Sequence, residues 1–318
     1  MGKPAWRPLL RYVAELHARS THPPRPASGQ TCPPVWPLAV QELAAVTGED
    51  APMRQAYPYL SRQIGWFERH RAAAGGGFYY ADILTRRWES GIDEGVRFDE
   101  APPGPRACVD ATSHLILVYD LAARWAPLLG EPGEGFAAKA AALRALVRET
   151  MFDPSTGFFH DAWAVGRPER RRLAFEGLFP LVAGAATAEQ AQRVIDENLL
   201  DPGRFFAPHP ISTVALSDPR FEQRLWRGPT WNSMTYWAAL GCLRYGRADA
   251  ARRLAERAVD ACATQFGRTG TIWEFYDPLG GDPRALARKP QTRHNAPCPD
   301  DLGHNPVLAL ARLYAGGG

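Results

Sequence analysis

Cysteine is scarce and unpatterned in this chain: five residues, an odd number, at Cys32, Cys108, Cys242, Cys262 and Cys298, with no C-x-x-C spacing. That argues against a disulfide framework or a thiolate zinc site, and a reducing cytoplasm is the simplest home for the protein. Cys242 and Cys262 read as small apolar residues on helix faces. Apolar runs long enough to span a membrane are absent, so no membrane partner is expected. The start Met1-Gly2-Lys3-Pro4-Ala5-Trp6 lacks the apolar core of a secretory signal, and Trp6 stands where N-myristoylation wants Ser or Thr. Charge of one sign is not in excess: 37 basic against 34 acidic residues leave a formal +3, spread along the chain, which argues against nucleic acid or an anionic surface as partner. The eight histidines show no ligand spacing, and His294 and His304 read as structural. Gly75-Gly76-Gly77 follows a helix and lacks the Lys-Ser/Thr of a phosphate loop, so it reads as a flexible turn. No metal or redox cofactor is implied, and nothing marks the oligomeric state.

What is present is a globular composition, 45% hydrophobic and 22% charged over 318 residues, enough for a large core in one domain or two. Helical periodicity dominates. Residues 6–17 place Trp6, Leu9, Leu10, Val13 and Leu16 on one face. Further helices are expected at about 36–47, 57–71, 109–128, 136–150, 175–183, 187–199, 231–245, 248–266 and 305–314. Thr187 with Gln190 makes a capping box. Only short pieces such as 77–80 look strand-like. The order is regular: helix, short turn, helix, then a long loop rich in aromatics. Short turns give antiparallel helix pairs, and long loops at the same end of successive pairs would gather at one mouth.

The segment 78–108 is too long for a simple connection, which points to function. Within it, Trp88-Glu89-Ser90-Gly91-Ile92-Asp93-Glu94-Gly95-Val96-Arg97-Phe98-Asp99 gathers four acids, one arginine and two large aromatics. Its two glycines make it a poor helix and a poor strand. A solvated charge run mixes Lys with Glu and carries no aromatics, whereas here carboxylates alternate with rings. Aromatic faces beside carboxylates suit a sugar: C–H surface packs on the ring, charged groups fix hydroxyls, and one acid protonates the glycosidic oxygen.

That stretch resembles the W-E-S-G-x-D-x-S-x-R-W-D loop of inverting α-glycosidases of glycoside hydrolase family 63, with Trp88, Glu89, Ser90, Gly91, Asp93, Arg97 and Asp99 matching. Gly95 replaces the usual Ser, and Phe98 the usual Trp. Trp226-Arg227-Gly228-Pro229-Thr230-Trp231-Asn232 is similar to the family's Y-W-R-G-P-x-W segment. Ile272-Trp273-Glu274-Phe275-Tyr276-Asp277-Pro278-Leu279-Gly280 is similar to its E-x-Y-x-P-x-T-G segment. Weaker similarity at 109–110, 151–159 and 175–181 carries the resemblance from about Pro33 to about Leu313.

The resemblance implies an all-α fold, an (α/α)6 barrel forming a single catalytic domain over 1–318. It implies Asp93 as general acid and Glu274 as general base. Trp88, Glu89, Gly91, Arg97, Phe98, Arg227, Gly228, Trp231, Asn232 and Trp273 are the candidate substrate contacts. The implied partner is a small carbohydrate, an α-glucoside or α-mannoside such as glucosylglycerate or mannosylglycerate, with Arg97 or Arg227 facing an acidic aglycone. Two departures stand beside this. Periodicity registers about ten helices where the barrel has twelve, with no counterpart before Pro33 of the family's early Trp-Asp helix, so the barrel is trimmed there, or short helices escape the reading, or the pocket is more open. The segment Asp300–Pro306 replaces the family's aromatic ending.

The residues also admit plainer roles. Asp93 could cap a turn or pair with Arg97. Glu274, between Trp273 and Phe275, could be a rim carboxylate. Glu89 and Asp99 fit structural acceptors better than catalysts. Trp231 and Asn232 could be packing and N-cap, Asp110 a charge on a helix N-terminus, and Tyr236 core. Two other functions stay open: a carbohydrate-binding relic without turnover, and an epimerase or lyase, which would use a His or Tyr base, and no His sits beside the acid motif.

Overall fold

A computed structural model of the protein describes residues 31–85, 88–288 and 305–316. The helix expected over 6–17 and the residues Cys298, His294 and His304 lie outside that range. Ten α-helical segments occur among the described residues, against one two-stranded sheet. None of these helices is long and apolar enough to cross a membrane. The chain divides into two compact units, one from Met1–Gly91 with Pro102–Leu146, the other from Ile92–Ala101 with Val147–Gly318.

In the first unit, α1 (Trp36–Thr47) ends at Gly48, as the sequence pattern predicts. Helix α2 (Ala51–His70) begins six residues before the expected Tyr57, because Pro52 sits in the first turn, where its missing N–H leaves no bond unmade. Its Leu60, Ile64 and Phe67 form the predicted buried stripe. Helix α3 (Asp82–Thr85) is a single turn that periodicity could not register. Helix α4 (Val109–Trp125) buries nearly every side chain, and α5 (Glu134–Thr150) follows it, its last turn belonging to the second unit. Polar tips are tied inside the packing: Trp36 Nε1 donates to Gln63 at 2.8 Å, and Trp125 Nε1 to Gln41 at 2.9 Å. The expected strand at 77–80 reduces to one bridge, Ala72 to Phe78, closed over the Gly75-Gly76-Gly77 turn.

In the second unit, β1 (Phe152–Asp153) pairs with β2 (Phe158–Phe159) inside what the sequence reads as a loop; two residues per strand are too few to show alternation. The expected helix over 175–183 is a 3₁₀ turn, Phe175–Leu178, running into α6 (Phe179–Val182). Helix α7 (Ala188–Val194) starts at the predicted capping box, with Thr187 Oγ1 accepting from Gln190 N–H at 3.1 Å and Gln190 Oε1 from Thr187 N–H at 3.0 Å. A π turn, Ile195–Leu199, continues it. Helices α8 (Asn232–Arg244), α9 (Ala248–Thr269) and α10 (Val307–Gly316) pack through Ala255, Ala258 and Leu310, with Tyr236 against them, and bury Cys242 and Cys262 as expected. The four described cysteines are free thiols.

Candidate active site

The first half of the acidic loop belongs to the first unit. Glu89 is 1% exposed, and its two oxygens are occupied by Arg71 (Nε at 2.8 Å, Nη2 at 2.7 Å), by Thr31 N–H at 2.9 Å and by Ala81 N–H. Burial works against the Arg71 charge, but the Glu89 carboxylate outweighs it and holds the guanidinium above its ordinary range. Ser90 is held to Asp82 through its N–H at 2.9 Å and its hydroxyl at 3.1 Å. These bonds tie Glu89 to Arg71 and to the backbone at Thr31 and Ala81. Gly91 takes φ +74°, a conformation an L side chain adopts only with strain, and Trp88 stands 57% exposed.

The second half, 92–99, belongs to the second unit. Asp93 is half-buried at the head of a turn. Glu94 follows it with φ +61°, left-handed and unusual for a side-chain-bearing residue. Two arginines hold it so: Arg227 Nη1 donates to the Glu94 carbonyl at 3.0 Å, and Arg224 pairs with its carboxylate. Strain maintained by its surroundings is a mark of functional segments. Arg97 is 4% exposed, paired with Asp161 at 3.0 Å and Glu176 at 3.1 Å, its guanidinium 4.4 Å from the Phe98 ring centre. Asp99 accepts from Arg227 Nη2 at 2.7 Å and Nη1 at 3.3 Å.

Between the two carboxylate motifs runs the segment 222–231. Gly228 is required there: a Cβ would lie 2.2 Å from the Glu222 carbonyl oxygen and 2.9 Å from the Phe221 ring. That close approach lets Arg227 reach Glu222 at 2.8 Å as well as Asp99. Burial opposes the Arg227 charge, and Asp99 and then Glu222 overcome it, so its pKa lies above the ordinary value. Trp231 is buried, donates Nε1 to Leu225 O at 3.0 Å, and stacks on Trp226 at 3.9 Å and on Phe275 at 5.1 Å. Trp226 also stacks on Phe175 at 5.8 Å, so it lies inside the row Phe175–Trp226–Trp231–Phe275, and it is only partly buried.

Glu274 sits in the next loop, 4% exposed, and Arg288 bridges both its oxygens. The neighbouring Tyr276 exchanges backbone bonds with Thr230 at 2.8 and 2.9 Å, joining this loop to the 222–231 segment. Trp273 turns its Nε1 to Thr269 at 2.9 Å and packs with Cys262 and Tyr276. Asn232 is the first residue of α8 and not its cap; the helix has no side-chain cap bond. Its amide is 1% exposed, within 2.8 Å of His209 Nε2 and Cys262 Sγ and 2.9 Å of Asn305 Oδ1. Asn305 in turn donates to Tyr276 Oη and to Trp273 O, each at 3.1 Å. Burial pushes His209 down to about 4 and pushes the Cys262 thiol and the Tyr276 phenol up.

The 222–231 segment therefore binds the turn carrying Asp93 on one side and the loop carrying Glu274 on the other. Trp88, Glu89 and Gly91 belong to the other unit. Arg97 and Arg227 are buried and engaged by protein carboxylates. The sequence reading passed over Trp226, Arg224, Glu176 and Arg288. Trp226 and Glu176 stood inside quoted segments, whereas Arg224 and Arg288 lie outside every motif, and Glu94, which Arg224 meets, is 130 residues away.

Residues 8–294 match the family described as mannosylglycerate hydrolase MGH1-like glycoside hydrolase domain. A periplasmic trehalase of Pseudomonas aeruginosa is 29% identical over 191 residues, 58% of this chain and 32% of that protein. A mannosylglycerate hydrolase of Thermus thermophilus is 30% identical over 141 residues, 43% of this chain and 31% of that protein. The chain thus spans about a third of the length of these curated relatives. The crystal structure of a family 63 mannosylglycerate hydrolase from Thermus thermophilus with Tris and D-glycerate matches at TM-score 0.72 and 21% identity, over 98% of this chain and 89% of that one. The same enzyme with glucose matches at TM-score 0.70 and 20% identity, with the same coverage. Likeness at that identity shows the fold, the helical (α/α)6 toroid that the motifs imply. With the match running from residue 8 to residue 294, this chain belongs to the mannosylglycerate hydrolase MGH1-like glycoside hydrolases of family 63.

Proposed function

We propose that the chain is one catalytic domain that hydrolyses a small α-glucoside or α-mannoside with inversion at the anomeric carbon, Asp93 acting as general acid and Glu274 as general base. The observation that carries this reading is the shared anchor. The Asp93 turn is bonded through Glu94 and Asp99 to Arg224 and Arg227. The Glu274 loop is bonded through Tyr276 and Phe275 to Thr230 and Trp231. Two carboxylates hung from one segment can act on the two faces of one sugar.

In such a reaction Asp93 gives its proton to the leaving oxygen, while Glu274 takes one from a water attacking the opposite face. The two carboxyl groups then stand about 6.5–9.5 Å apart to admit that water. The partly buried Trp226 leaves some apolar ring surface for the sugar's C–H face. Relatives named for mannosylglycerate and trehalose hydrolysis motivate those two substrates as the first to try. Arg97 and Arg227 are already neutralised by protein acids, so an acidic aglycone would draw on another cation. A cytoplasmic setting belongs to the proposal and rests on the odd number and scattered placing of the cysteines.

The test is to follow mannosylglycerate, glucosylglycerate and trehalose by NMR from the first seconds of turnover. A β-anomer appearing first supports inversion, and an α-anomer first overturns it. Glu274→Gln and Asp93→Asn should each lower kcat by about 10²–10⁴-fold with little change in KM.

A further inference from the structure

A carboxylate as buried as Glu274 needs either a proton or a cation, and a base cannot keep the proton. Arg288 supplies the cation: its Nη1 is bonded to Oε2, and its Nη2 to Oε1 at 3.0 Å. The arginine is itself held in place. Leu286 is buried with Leu225, Trp231 and Phe275. Ala287 bridges Arg224 in parallel, its carbonyl accepting from Leu225 N–H at 3.0 Å. The guanidinium carbon lies 6.0 Å from the centre of the Phe275 ring. The backbone that carries Arg288 is thus bonded to the same 222–231 segment that anchors both carboxylate motifs.

A planar fork of two donors fixes the plane of a carboxylate and takes about two of its four lone-pair sites, leaving the others for a water. A lysine could bring charge but not that plane. We propose that Arg288 is the positioning residue of the base, holding Glu274 ionised and in one orientation so that a free lone pair meets the attacking water. This rests on Glu274 being the base.

The probes are α-mannosyl and α-glucosyl fluoride, whose leaving group departs without protonation, so that turnover reports the base more than the acid. Arg288→Ala should keep its fold by circular dichroism, lose about 10²-fold in kcat, and hold KM within about threefold. Guanidinium chloride at low millimolar concentration should restore part of that kcat, and restore nothing in Glu274→Gln. Arg288→Lys should fall between, about tenfold below wild type. A folded Arg288→Ala with wild-type kcat, or one that loses only KM, overturns the proposal. If Arg288→Ala does not fold, Arg288→Lys decides: full kcat overturns the proposal, and reduced kcat at unchanged KM supports it. Wild-type protein inert on both fluorides, or Glu274→Gln still active, overturns the functional reading itself. Loss of turnover in Glu274→Gln with Arg288→Ala unaffected overturns only the role of Arg288.

Discussion

Mild acid should destabilise this protein through His209. The imidazole is 1% exposed, lies tilted against the Tyr276 ring at 4.5 Å and meets Asn232 Oδ1 at 2.8 Å. Burial, only partly offset by Asn232 and the Asp277 charge, holds its pKa at about 4, whereas an unfolded histidine titrates near 6.5. Between those values the unfolded chain binds a proton that the folded chain refuses. Stability is therefore complete above about pH 6.5, falls as pH drops toward about 4, and below that no longer changes through this group. A gap of about 2.5 pH units at about 1.4 kcal/mol each is worth about 3–4 kcal/mol, a large part of the roughly 5–15 kcal/mol that stabilises a domain. The assay is urea unfolding by tryptophan fluorescence at steps between about pH 7 and pH 4, for wild type and His209→Gln. Wild type should lose about 3–4 kcal/mol more than the variant across that window. His160, held by burial at about 4, contributes to both proteins alike and cancels in the difference. Parallel curves for the two proteins would refute the argument.

Glu89→Gln leaves the half-buried Arg71 without its counter-charge and should cost about 1–3 kcal/mol, read as a lower urea midpoint, with unchanged stability counting against the anchor role. Gly228→Ala drives a methyl into the Glu222 carbonyl and should destabilise by about 1–3 kcal/mol or more by calorimetry, a neutral effect meaning that the turn relaxes freely. Asp93→Asn should cut turnover of mannosylglycerate far more than that of α-mannosyl fluoride, because only the former needs a proton on its leaving group; equal losses would remove Asp93 from the acid role.

The helices were legible because an apolar stripe at a period of 3.6 residues is a local property: Leu60, Ile64 and Phe67 announce α2 without reference to anything else. The capping box at Thr187 was legible for the same reason. Short elements were not. A two-residue strand such as Phe152–Asp153 has no period, and the single turn Asp82–Thr85 is too brief to show a face. The early start of α2 was hidden because a proline signals a boundary, and only packing decides on which side of it the helix lies.

The site divides along the same line. The sequence singled out the residues proposed to carry chemistry, since a carboxylate between glycines and aromatics, or a Trp-Arg-Gly-Pro run, is written in adjacent letters. Only the tertiary structure decided what those residues touch. It set Arg97 against Asp161 and Glu176, and Arg227 against Asp99 and Glu222. It gave Glu89 to Arg71, and it brought Arg288 onto Glu274. The physical reason is that charge pairing acts through space over a few ångströms, and no local pattern records which distant side chain folding will bring within that reach.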